Sequence, residues 1–231
     1  MIKPVKLAAA LFLCWMFVSA HVCAAATFEE LDSRISACNL VLKNVLEMPD
    51  RGIPKELLQR CRGLAIFPGV IKVGLFVGAS YGSGVVLRRD EDTGIWSRPA
   101  FFTVRGGSLG VQVGAQSTDL ILLIMSEASV ERLLEERFIL GADASVAAGP
   151  IGREASAETN LRFESGILSY SRSKGLFAGL ALNGASLEPD SAANETYHGA
   201  GVTVQDVFYE DKGALSDNAR LLIKTLDDAT R

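Results

Sequence analysis

The 231-residue chain predicts an α+β fold: an antiparallel β-sheet curved into a sandwich or small barrel, flanked by an N-terminal helical hairpin and C-terminal helices. Three observations lead there. Apolar residues recur at alternating steps of three and four near the start of the chain, the period of a helix face. The middle of the chain alternates apolar, β-branched and small residues with frequent glycines, the pattern of antiparallel strands. The last 30 residues return to a helical pattern.

Residues 1–26 stand apart from this domain. Lys3 and Lys6 precede an apolar run of 12, Leu7–Val18, and "SAHVCAAA" follows. The run is too short to span a bilayer as a helix. The order positive, apolar, small reads as a secretory signal peptide cut after Ala24 or Ala26. Neither Cys14 nor Cys23 has a small residue before it, which argues against lipid attachment. Cleavage moves the net charge from −4 to −6 and leaves 27–231 as a single domain, periplasmic or secreted.

Phe28, Leu31, Ile35, Cys38, Leu42 and Val45 mark the buried face of the first helix. Pro49, Gly52 and Pro54 make a turn, and Leu57, Leu58 and Cys61 line one side of a second, short helix. An antiparallel hairpin of these helices brings Cys38 and Cys61 within about a turn of each other. In an exported chain that spacing permits a disulfide, with two buried free thiols as the alternative.

The glycine-rich stretch "KVGLFVGASYGSGVV" (Lys72–Val86) matches neither phosphate-binding template. A P-loop requires a lysine after its last glycine, and a dinucleotide loop requires a helix after its glycines. Gly74, Gly78, Gly82 and Gly84 all fall at even positions, so in a strand they share one face with Lys72. Val73, Leu75, Val77, Ala79, Tyr81 and Val85 take the other face. The glycines read as a smooth surface that lets another backbone approach. The spacing recurs in "GVQVG" (Gly110–Gly114) and "GLFAG" (Gly175–Gly179). Charged helices at both ends argue against a transmembrane barrel.

The acidic "DEDTG" (Asp90–Gly94) reads as a hairpin turn, since its spacing does not fit a calcium loop. Ser126 caps a helix whose buried stripe is Val130, Leu133 and Leu134 and which Gly141 ends. Further strands and turns follow to Leu187. The final helix presents Leu221, Leu222 and Leu226.

Chemistry-bearing motifs are few. "GGSLG" (Gly106–Gly110) has the form G-x-S-x-G around Ser108, and His198 is the one histidine after residue 26. Together they define a serine-hydrolase alternative. The residues after Ser108 read as strand, where a nucleophile elbow requires a helix. "SRSK" (Ser171–Lys174) and "SDN" (Ser216–Asn218) imitate penicillin-recognising enzymes without their third motif. One histidine and two inward-facing cysteines build no zinc site, and no other metal or cofactor is indicated. With 23 basic and 27 acidic residues, nothing supports general nucleic-acid binding.

Several blocks in order resemble the SYLF-domain family: "IPKELLQRCRGLAIFPGVIKVGLFVGASYGSGVVL", "WSRPAFFTVRGGSLGVQVGAQSTDLILLIM", "LGADASVAAGPIGR" and "YSRSKGLFAGLALNGASL…NETYHG". The likeness runs from about Ile53 to Gly199. It implies a lipid-binding module without catalytic residues. Eukaryotic members of the family bind phosphoinositides through a basic amphipathic segment, and some fungal members bind actin. This chain departs there: Thr27–Val70 holds six basic residues against six acidic ones. The expectation is therefore an exported, non-enzymatic module for anionic phospholipid of phosphoinositide type, or one that meets an envelope protein partner. A ligand-free structural envelope protein is a further alternative. An acidic chain holds lipid phosphate only where bases cluster. The candidates are Lys55, Arg60 and Arg62 on the second helix, Lys72 in the glycine-rich strand, Arg153 after "AAGPIG" and Lys174 before "GLFAG".

Overall fold

The structure is a computed structural model and describes residues 25–48, 52–74, 77–109, 114–150, 166–173, 176–177 and 182–231. Residues 1–24 of the expected signal peptide (1–26), Arg153 and Lys174 lie outside them. The first helix, α1 (Phe28–Leu46), starts at a capping box. The Thr27 hydroxyl accepts the Glu30 backbone N–H, and the Glu30 carboxylate accepts the Thr27 N–H at 2.8 Å. A single turn and a half, α2 (Lys55–Arg60), leads into the strands β1 (Gly63–Gly74), β2 (Val77–Arg88), β3 (Ala100–Leu109) and β4 (Gly114–Ile124). Helix α3 (Glu127–Arg132) comes next, capped by Ser126 as predicted. It stops well before Gly141. Strand β5 (Phe138–Ile139) intervenes, and Gly141 turns the chain with φ +89°. Strands β6 (Val146–Ala148), β7 (Ile167–Ser173), β8 (Leu176–Phe177) and β9 (Ser186–Pro189) follow. Helices α4 (Ser191–His198), α5 (Val204–Tyr209) and α6 (Asp217–Thr230) end the chain.

The strands form one sheet in the order β5-β9-β3-β2-β1-β4-β7-β6, with β8 beside β7. The α+β class is as predicted. The sheet is curled into a half-barrel, and its two outer strands, β5 and β6, do not pair with each other. It is mixed where an antiparallel sheet was expected, because β6 runs parallel to β7. The connection between them, residues 149–166, is long enough for the crossover that a parallel pair requires.

Both faces of the sheet are covered at one end of the central strands, over the first halves of β1 and β3 and the second halves of β2 and β4. In β4, Ile121 and Leu123 join one apolar cluster with the buried stripes of α1, α2, α4 and α6. Leu120, Leu122 and Ile124 join the other, on the opposite face, with Val130, Phe138, Val207 and Phe208. That double burial is why "LILLI" reads as an unbroken apolar run. The predicted stripe of α1 is buried from Leu31 to Val45. Its main helical neighbour is α6, where the sequence reading expected α2. Ser216 joins the two helices: it caps α6 at Ala219 N and also donates to Asp32 of α1, while Asn218 donates to Asp32 at 2.7 Å. The "SDN" motif is thus a helix cap.

This arrangement corrects the disulfide. Cys38 and Cys61 are free and buried. The Cys38 thiol donates to Ile66 O in β1, and the Cys61 thiol turns back onto Leu58 O in its own helix. With α1 packed along α6, the two sulfurs point to different partners. Burial pushes both thiols up to about 12.

The glycine face is also explained. "FPGV" (Phe67–Val70) inserts one extra residue in β1 relative to its neighbours, a bulge at which Gly69 takes φ +59°. Opposite it lie Gly82 and Gly84. A Cβ on Gly84 would stand 2.0 Å from Ile66 O, and one on Gly82 would stand 2.7 Å from Val70 Cγ2. The acidic turn is a hairpin connection: the Asp90 carboxylate accepts from the Thr93 N–H and hydroxyl, which pull it down to about 2.

Candidate functional site

A groove of about 630 Å³ opens where the end of α1, the start of α2 and the outer side of α6 converge. Its shape follows from helix periodicity. Leu222 and Leu226 turn α6 inward onto the core. The adjacent stripe at Leu221, Lys224, Thr225 and Asp228, spaced three or four apart, therefore faces outward along the groove. From α1 come Lys43, Leu46 and Glu47, one turn apart. Ile53 leads into Lys55 and Leu58 of α2. Leu221 remains 43% exposed, unlike its buried neighbour Leu222.

The result is an apolar floor under three ammonium groups. Lys43, Lys55 and Lys224 line the groove with two carboxylates, Glu47 and Asp228. Among the described residues none of the three lysines is held in an ion pair, whereas Arg62, Arg88, Arg98 and Arg132 all are. A volume in this range admits a small ligand or a lipid head group. Free ammonium groups beside apolar carbon fit an anion that carries a hydrocarbon part.

Among the described residues, the predicted basic residues are spread over separate places. Lys55 lines the groove. Arg60 is exposed at the end of α2, and Arg62 is paired with Glu91 of the β2–β3 turn. Lys72 lies near the far end of β1, opposite Ser80 and Gln116. Arg153 and Lys174 fall outside the described residues. Lys43 and Lys224 were missed by the sequence reading. Each sits one position beyond a buried leucine or near one, but their meeting depends on α1 packing along α6, which no local pattern reveals.

The hydrolase geometry does not assemble. His198 ends α4, is buried, and places Nε2 3.0 Å from Pro99 O, just before β3. Ser108 pairs with Gly78 near the other end of β3. Eight residues of strand separate Ala100 from Ser108, about 26 Å of backbone. Gly106–Leu109 of "GGSLG" lie within β3, and the next described element is the strand β4. Burial lowers the His198 imidazole below its ordinary range, and its Nδ1 is buried against Gly213 without a hydrogen-bond partner. Ser171, from the "SRSK" motif, is buried within β7. Among the described residues no group of three or more His, Cys, Asp and Glu side chains is placed to hold a metal ion. No described helix is long and apolar enough to cross a membrane.

The family match runs from the second half of β3 into α6. Residues 105–229 match the Ysc84 family, described as Las17-binding protein actin regulator. The protein YSC84 of Saccharomyces cerevisiae is 38% identical over 157 residues, 67% of this chain and 33% of its own length. LAS seventeen-binding protein 3 of the same species is 35% identical over 69% of this chain and 35% of its own. The human SH3 domain-containing YSC84-like protein 1 is 33% identical over 71% of this chain and 47% of its own. The chain thus spans between a third and a half of the length of these curated relatives. With the blocks quoted above and more than half of its residues matched by the family, this chain belongs to the Ysc84 family of SYLF-domain proteins.

Proposed function

We propose that this chain is an exported, non-enzymatic module that binds anionic phospholipid, with the groove between α1, α2 and α6 receiving the head group. The observation behind this reading is the trio Lys43, Lys55 and Lys224, free of ion pairs and set around an apolar floor. Phosphate meets the ammonium groups, and the start of the acyl region meets Leu46, Leu58 and Leu221. The family resemblance adds the lipid class. The charge order of residues 1–26 supports export, with the mature chain starting at Ala25 or Thr27. Envelope phospholipid is then the target, because an exported protein does not meet cytosolic phosphoinositides.

Each base at a lipid surface contributes on the order of 1 kcal/mol. Replacing all three lysines by glutamine should weaken binding by about a hundredfold at low salt. Co-sedimentation with phosphatidylglycerol vesicles tests this on protein whose processed N-terminus has been confirmed by mass spectrometry. Binding should weaken with salt and fall in K43Q/K55Q/K224Q. Equal binding by both proteins removes the groove from the reading, and no binding to any vesicle removes lipid. A protein-partner role is the second reading. It is favoured by the relatives' names, one of which is LAS seventeen-binding protein 3.

A further inference from the structure

Beyond the bulge at Phe67–Val70, the four central strands run on with no described helix packed over them. The register gives the composition of their helix-side face, row by row across β4, β1, β2 and β3. One row is Ser117, Ile71, Tyr81 and Arg105, and the next is Ala115, Val73, Ala79 and Gly107. Ile71, Tyr81 and Val73 are 53%, 50% and 47% exposed. They are three of the eight large hydrophobic side chains exposed among the described residues, and they are mutual neighbours. A cluster of this kind on a protein surface marks an interaction site.

Its charge says what kind. The sequence holds 27 Asp and Glu residues, yet none lies from Arg62 to Arg89 or from Ile95 to Thr118. Arg105 is the charged residue of this face of the strand ends, with Lys72 on the opposite face, and the Arg105 guanidinium stands 5.8 Å from the Tyr81 ring centroid. The nearest carboxylates are occupied at the margin. Asp119 accepts the Gly69 N–H at 2.9 Å, and Glu188 lies 3.6 Å from Arg105 and from Arg137. Aliphatic side chains and a tyrosine, beside two guanidinium groups that share the Glu188 carboxylate, match the boundary between lipid head groups and acyl chains. A second copy of the chain fits less well, since a two-fold contact of this patch would bring like charges together.

We infer that the uncovered ends of β1–β4, with Ile71, Val73 and Tyr81 beside Arg105 on one face and Lys72 on the other, enter the interface of an anionic bilayer. The inference rests on the lipid-binding reading above and adds a second, apolar point of attachment. Ile71, Val73 and Tyr81 share the sheet face that carries α1 and α6, as Val85 and Leu87 do. A protein lying with its strands along the membrane therefore presents both the groove and the strand ends.

Two measurements test the inference. In the first, I71S/V73S/Y81S is compared with the wild type and with K43Q/K55Q/K224Q on phosphatidylglycerol vesicles. In the second, Val73→Trp is titrated with vesicles whose acyl chains carry bromine, with the wild-type Trp signal subtracted. The expected results are at least tenfold weaker binding by the serine variant and quenching of the tryptophan at position 73. The tryptophan readout stands even if the serine variant folds poorly. Undiminished binding by the serine variant together with an unquenched tryptophan overturns the inference. If the lysine variant alone loses binding, the groove reading survives that result. A wild type that binds no vesicle overturns both. Self-association in sedimentation velocity that the serine substitutions abolish, without vesicle quenching, makes a second copy the occupant and overturns it as well.

Discussion

Replacing Gly84 by alanine should destabilise the protein through one contact. The new Cβ would lie 2.0 Å from Ile66 O, 2.7 Å from Phe67 Cδ1 and 2.9 Å from Ile66 C. Two of these three atoms are backbone, so no rotamer change relieves the clash; β1 must move away from β2 at the bulge. Forcing atoms into a packed core costs about 1–3 kcal/mol. A backbone obstacle places this case near about 3 kcal/mol, and the lower unfolded-state entropy of alanine returns about 0.5–1. The net loss of about 2 kcal/mol corresponds to a melting temperature about 4–8 °C lower for a domain of this size. Gly107→Ala is the control, because its nearest neighbour would be Gly78 O at 4.0 Å. Urea titration of both variants measures the difference. G107A should match the wild type or slightly exceed it. If G84A is as stable as G107A, these glycines are not there for close strand packing and the account of the sheet's smooth face fails.

The remaining predictions concern buried groups. The thiols of Cys38 and Cys61 should not react with Ellman's reagent in the folded domain, and both should react in urea without reductant; none reacting there would restore the bridge. Burial lowers the His198 pKa below its ordinary 6.5, chiefly by desolvation and secondarily through Arg98. The unfolded chain then binds the proton more readily. The stability this contributes is present above about 6.5 and is lost as pH falls through the lower folded value. Wild type should thus lose more stability than His198→Gln between pH 7 and pH 5, and parallel losses would show that His198 is not the group responsible.

Much of the fold is legible in the sequence because its signals are local. The α1 stripe from Leu31 to Val45, the Ser126 cap and the Asp90–Gly94 turn are each set by residues within a few positions of one another. Even the glycine face follows from parity along β2. What the sequence hides depends on long-range packing. The pairing of α1 with α6 joins Asp32 to Ser216 and Asn218, so the sequence leaves the bridge and the free thiols as alternatives and does not reveal the gathering of Lys43 with Lys224. Of the four predicted basic residues that are described, Lys55 alone lines the groove, since charge on a short helix says nothing about which neighbour it faces. Arg62 illustrates the reverse error: it reads as a free base and is paired with Glu91.

The central claim is that Lys43, Lys55 and Lys224 meet lipid phosphate. Lysine footprinting tests it most directly. The mature protein is acetylated briefly, with and without phosphatidylglycerol vesicles, and the modified sites are read by mass spectrometry. The account predicts that these three lysines lose most of their reactivity when vesicles are present, while Lys212, held by Asp206 and Glu210 on another side of the molecule, keeps the same rate in both conditions. Vesicle-bound protein in which Lys43, Lys55 and Lys224 are acetylated as fast as in the free protein would contradict it.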